Sequence, residues 1–141
     1  MPEPLTGRCN CGAVTATFAA EPIQTRQCWC RQCQKAAAGG PTHNAMFRTA
    51  DVALSGAVGS WSYLAPSGNT LTQTFCVHCG TPIFAQSSAR PHFMTIRFGF
   101  LDEPHGLKPQ MAIWTEEKPD WAAIDPALES HPRQPPAPPA T

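Results

Sequence analysis

The sequence predicts a small, mainly β domain, a sandwich or open barrel braced by clusters of cysteine. Three observations carry this prediction. Short alternations of apolar and polar residues recur at intervals of roughly ten residues, the rhythm of strands joined by tight turns. Only 14% of residues are charged while 16 are proline, which suits a loop-rich β chain better than a helical bundle. Seven cysteines fall in three close sets, and a chain of 141 residues, which buries one modest core, gains from such cross-links.

In chain order, residues 13–18 set Val14, Ala16 and Phe18 against threonines, the pattern of a half-buried strand. Residues 45–48 and 52–54 read as short strands. Gly56 and Gly59 punctuate a turn before Trp61, Tyr63 and Leu64. Residues 69–75 alternate again through Leu71, Gln73 and Phe75. Strands at 81–85 and 93–98 follow, and Met111 to Trp114 gives a last apolar run. Helix signals are sparse. Residues 31–38 suit one or two turns, stopped by Gly39-Gly40-Pro41, and Asp120 to Ile124 suits a further turn. The folded unit is expected over residues 1–130. Residues 131–141, five of them proline, read as a disordered proline-rich tail.

Charge and hydropathy exclude several classes. Lys plus Arg and Asp plus Glu are 10 each, so no basic surplus marks a nucleic-acid binder. No stretch approaches the roughly 20 apolar residues of a membrane span. The start, Met1-Pro2-Glu3-Pro4, lacks the basic and apolar regions of a signal peptide, so the expected compartment is the reducing cytoplasm. Cysteine-rich chains there bind metal or do redox chemistry more often than they form disulfides. Seven is also an odd number, which complete disulfide pairing cannot accommodate.

The three sets are Cys9-Asn10-Cys11-Gly12, Cys28-Trp29-Cys30-Arg31-Gln32-Cys33 and Cys76-Val77-His78-Cys79-Gly80. Pairs one or two residues apart let both sulfurs face a single ion, and zinc favours tetrahedral sulfur ligation. Gly12 and Gly80, just after a cysteine, free the backbone to turn so that amide N–H groups approach the thiolates. Seven ligands divide into four, which close a structural site, and three, which leave a coordination position open. Spacing alone leaves two pairings. Cys30 and Cys33 could join Cys76 and Cys79, as in a zinc ribbon. Alternatively Cys9 and Cys11 join Cys76 and Cys79, leaving Cys28, Cys30 and Cys33 together; their proximity favours this second arrangement.

Three runs resemble the glutathione-dependent formaldehyde-activating (GFA) family, which includes centromere protein V. They are Gly7-Arg8-Cys9-Asn10-Cys11-Gly12-Ala13-Val14, Cys28-Trp29-Cys30-Arg31-Gln32-Cys33-Gln34-Lys35 and Phe75-Cys76-Val77-His78-Cys79-Gly80-Thr81-Pro82-Ile83-Phe84. The resemblance covers residues 5–121. It implies an Mss4-like, mostly antiparallel β fold with zinc knuckles and two zinc ions per chain. It implies Cys9, Cys11, Cys76 and Cys79 as ligands of the structural zinc, and Cys28, Cys30 and Cys33 as ligands of the open one. The activity it implies is a carbon–sulfur lyase joining glutathione to formaldehyde as S-(hydroxymethyl)glutathione. Trp29 stands where many relatives carry histidine or another polar residue, which bears on substrate identity.

An open zinc with three thiolates would lower the pKa of a bound thiol and so supply a sulfur nucleophile. It could alternatively polarise a carbonyl oxygen. Arg31 and Lys35 are candidates to offset the site's charge or hold glutathione carboxylates. Trp29 is a candidate pocket wall and His43 a candidate proton carrier. His78 reads as an exposed loop residue, and Phe75, Phe84, Phe93, Phe98 and Trp114 as core. The competing readings are a non-catalytic zinc-binding protein-interaction module and a metal-storage or redox-sensing protein.

Overall fold

The computed structural model describes residues 4–139. The first three residues, used above against a signal peptide, and residues 140–141 of the expected tail lie outside them.

Two sheets carry the fold. The smaller has three strands: β1 (Thr6–Arg8), β2 (Thr15–Phe18) and β5 (Val52–Ser55), in the order β1-β2-β5. The larger sheet comprises β3 (Gln24–Cys28), β4 (Thr42–Arg48), β6 (Val58–Leu64), β7 (Thr70–Cys76), β8 (Pro82–Ser87), β9 (Phe93–Arg97), β10 (Met111–Ile113) and β11 (Glu129–Ser130). Their order is β11-β10-β3-β4-β9-β8-β7-β6. One helix, α1 (Arg31–Ala36), follows β3. The mainly β, Mss4-like expectation holds. The exception to its antiparallel pairing is β10, which runs parallel to both β3 and β11.

Period-two alternation positions everything that follows. On β2, Ala16 and Phe18 point inward while Thr15 and Thr17 face solvent. On β4, Ala45 and Phe47 join Ile96 of β9 in a core between the two sheets. Phe18 stacks on Phe47 at a centroid distance of 4.4 Å. Cys9 and Cys76 lie in this same core, 2% and 0% exposed. The other face of the large sheet carries Asn44 and Met46 of β4 with Thr95 and Arg97 of β9, and forms the floor of a cleft.

A second, smaller cluster joins Cys28 and Cys33 to Met111 and Ile113, with Cys30 and Trp114 packed against it. The parallel pairing of Ile113 with Cys28 builds it. The chain beyond β11 runs along the same edge. The Thr115 N–H donates to the His131 carbonyl (3.2 Å), Arg133 pairs with Glu116 (2.8 Å), and Trp114 Nε1 donates to Gln134 (3.2 Å). No helix among the described residues is long and apolar enough to cross a membrane.

Candidate metal centres

Two chain reversals bring four sulfurs together. After β1 the chain folds back, with the Gly12 N–H on the Cys9 carbonyl and the Cys9 N–H on that of Val14. After β7 the Gly80 N–H bonds the Cys76 carbonyl. Gly12 (φ +83) and Gly80 (φ +75) both take the left-handed conformation expected of them. The Asn10 N–H donates to Thr81 Oγ1 (3.0 Å) and ties one turn to the other. The sulfurs of Cys9, Cys11, Cys76 and Cys79 all lie within 4.8 Å of one another. A tetrahedron with Zn–S bonds of about 2.3 Å has S···S edges of about 3.8 Å. The Cys9–Cys11 and Cys11–Cys76 separations are 3.7 and 3.8 Å, so the donor set fits such an ion. Backbone N–H groups point at the sulfurs: Val14 at Cys9 (3.2 Å) and His78 at Cys76 (3.4 Å). The Thr81 hydroxyl and the N–H groups of Thr81 and Cys11 push the Cys79 pKa down to about 5.

The second group is Cys28, Cys30 and Cys33, whose sulfurs also lie within 4.8 Å of one another. Cys28 ends β3, Cys30 caps α1, and Cys33 sits in its first turn, so the short helix closes the triangle. The Cys33 N–H donates to Cys30 Sγ at 3.3 Å. Among the described residues no fourth His, Cys, Asp or Glu joins them. These three cysteines line a cleft of about 130 Å³. Hydrogen bonds from Cys28 and Cys30, aided by the positive charge of Arg97, push the Cys33 pKa down to about 2. Donation to Cys30 and Cys33, together with burial, pushes Cys28 up. Hydrogen-bond donors and a cation thus meet at one sulfur, an environment that favours thiolate over thiol.

A family model described as glutathione-dependent formaldehyde-activating enzyme matches residues 4–117. The chain belongs to this family. The matched segment contains all seven cysteines, so both sulfur groups are features of the GFA domain. A crystal structure of a Rhodobacter sphaeroides protein is similar to this GFA chain, with a TM-score of 0.56 and 22% identity. The match covers 74% of this chain and 91% of that one, and it speaks to the fold alone. The comparison with curated proteins gave no match.

Several residues singled out by sequence sit away from the cleft of the GFA domain. Arg31 is exposed and its guanidinium bonds Gln34 Oε1 (2.9 Å); Lys35 is exposed on α1. Trp29 is 3% exposed, with Nε1 donating to Gln27 Oε1 (2.9 Å), and is core packing, not pocket wall. His43 lies on the opposite face of β4 from Asn44. There the Gln27 amide N–H donates to its Nε2 (3.1 Å), because Gln27 Oε1 already accepts from Trp29. Burial pushes the His43 pKa down, which favours the neutral ring. His78 is exposed in its turn as expected. Phe93 is buried, whereas Phe75, Phe84, Phe98 and Trp114 are half-buried.

The cations that do reach the cleft are Arg26, Arg90 and Arg97. Sequence reasoning passed over all three. Once β3 is known to be a strand, Arg26 must share the face of Cys28 two residues on, but the Gln-Thr-Arg-Gln-Cys run does not itself read as a strand.

Proposed function

We propose that this chain is a zinc-dependent carbon–sulfur lyase or synthase, S-(hydroxymethyl)glutathione synthase-like, acting on adducts of glutathione with formaldehyde or another small aldehyde. Cys9, Cys11, Cys76 and Cys79 hold a structural zinc, and Cys28, Cys30 and Cys33 hold a second one. The observation that carries this reading is the three-sulfur group without a fourth protein ligand among the described residues, set in the wall of a cleft. Membership of the GFA family supports the substrate class.

Cys28, Cys30 and Cys33 would hold a zinc ion with one coordination position left for a substrate thiol, whose pKa the ion would lower. The chain's own groups prepare that position. The Cys33 N–H and the Arg97 charge stabilise negative sulfur. Met46, Leu71 and Phe93 in the cleft lining reduce the water around the reacting sulfur. Addition to an aldehyde forms one carbon–sulfur bond and transfers one proton from sulfur to the carbonyl oxygen, with no oxidant or leaving group. The reverse step cleaves the same adduct. None of the seven cysteines forms a disulfide, which suits the reducing cytoplasm we propose as its location.

A second reading, a non-catalytic zinc-binding protein-interaction module, draws on the outer strand β6. That strand exposes Val58, Trp61 and Leu64. Glutathione titration of the cobalt-substituted protein separates the two. Two metals per chain and a saturable change in the cobalt spectrum of one are expected, with catalysed exchange between formaldehyde and its glutathione adduct above the spontaneous rate. Two metals with neither response would leave the interaction module.

A further inference from the structure

The cleft floor carries more positive charge than the sulfurs beside it need. Arg26 and Arg97 are each only 7% exposed. They lie in one cross-strand row, Arg26 opposite Asn44 and Asn44 opposite Arg97, so all three share the face that bounds the cleft. Arg97 is fixed by two neutral acceptors, Asn44 Oδ1 and Gln73 Oε1, each at 2.6 Å. These orient the guanidinium without cancelling its charge. Among the described residues Arg26 has no side-chain hydrogen bond and no ion pair; the three ion pairs present lie elsewhere. A third cation, Arg90, lines the same cleft, and among the described residues no Asp or Glu does.

Buried charges are ordinarily paired, because stripping a guanidinium of water costs several kcal/mol. The cysteines do not complete the pairing. Three thiolates on a divalent cation sum to −1, against +3 from three arginines. A guanidinium has five N–H donors, of which Arg97 commits two groups to amides and Arg26 commits none. What remains is a set of unused donors lining a cavity, with Arg97 held in place by the two amides, the geometry that recognises a planar carboxylate.

We infer that Arg26 and Arg97 form an anion subsite that holds a carboxylate of the substrate while its sulfur reaches Cys28, Cys30 and Cys33. This rests on the thiol-adduct reading above and narrows it to carboxylate-bearing thiols. A cavity of about 130 Å³ is also small beside the roughly 300–1,000 Å³ of pockets that enclose drug-sized ligands. It encloses a sulfur, a short linking chain and one carboxylate, and leaves any larger remainder of the thiol in the open mouth.

Three small probes test this on the metal-loaded full chain: 3-mercaptopropionate, neutral 2-mercaptoethanol and sulfur-free propionate. Cobalt absorption reads thiol binding, and proton–nitrogen correlation of arginine side chains reads the anion. 3-Mercaptopropionate should bind about 10- to 100-fold tighter than 2-mercaptoethanol, the worth of charge-assisted hydrogen bonds. Arg26→Gln should erase that preference and leave 2-mercaptoethanol within twofold, and Arg97→Lys, which keeps the charge but loses the fork, should reduce it. Propionate should shift the Arg26 and Arg97 Nε–H signals. Equal affinity for the charged and neutral thiols, or arginine signals unmoved by propionate, overturns the subsite. If propionate shifts the arginines but neither thiol alters the cobalt spectrum, the subsite stands and the thiol-adduct reading fails.

Discussion

Arg26 and Arg97 are equally buried but differently supported, and stability should report the difference. Asn44 and Gln73 accept from Arg97, so removing its guanidinium strands two carbonyl oxygens in a half-dry cleft. Leaving buried polar groups without partners costs about 1–3 kcal/mol. Arg26 strands nothing when removed, and burial already pushes its pKa down, a sign that its charge is held at a cost. Attraction to the cysteine sulfurs returns part of that cost but no hydrogen bond. Arg97→Met should therefore lower the urea midpoint clearly, while Arg26→Met should leave it unchanged or raise it. Equal losses in both variants would mean that the thiolates hold Arg26 as firmly as the amides hold Arg97. Proteins commonly retain such a destabilising group where a ligand uses it.

At the scale of elements, α1 shows a local rule broken beside the three-cysteine group. The Gly39 N–H bonds the Gln34 carbonyl (2.7 Å), the outer bond of a Schellman ending. That ending needs a left-handed residue before Gly39, and the sequence supplies Ala38 at φ 57, not glycine. Ala38→Gly should relieve the strain and stabilise the protein by about 0.5–1 kcal/mol net of added chain entropy, read from denaturant unfolding. The helix itself was legible from residues 31–38 and the Gly-Gly-Pro stop, and so were eight strands with apolar alternation. What escaped were β1 and β11, too short to show a period, and β3, whose Gln-Thr-Arg-Gln-Cys run reads as loop. β3 is nonetheless interior to the large sheet, because its buried Arg26 and Cys28 face the cleft and not the core. The cysteine clusters themselves were legible because ligand spacing is local, but which cluster joins which was implied only by the family resemblance, since Cys9 and Cys11 meet Cys76 and Cys79 across more than sixty residues. The arginine row was not, because it is made by the register of β3, β4 and β9, which no local pattern encodes.

The two sulfur groups sit in different parts of the molecule, and that decides how a metal held at each would be coupled to folding. Cys9 and Cys76 belong to the main core between the sheets, and Cys11 and Cys79 tie together turns from opposite ends of the chain's first eighty residues. Zinc-finger peptides gain roughly 10–16 kcal/mol from their metal at neutral pH, and a typical domain has only about 5–15 kcal/mol of net stability. Losing the four-cysteine site therefore removes as much as the whole fold has. The three-cysteine group is local, spanning six residues and packed in the satellite cluster with Met111 and Ile113. A metal held there would leave without opening the space between the sheets. Cys76→Ala should abolish the cooperative thermal transition and bring bound zinc to one per chain or less. Cys30→Ala should keep a cooperative transition within a few degrees of the parent and lose one zinc of two. Calorimetry and metal analysis on the same samples decide it: comparable loss of the transition in both variants would mean that the open site, too, is part of what folds the domain.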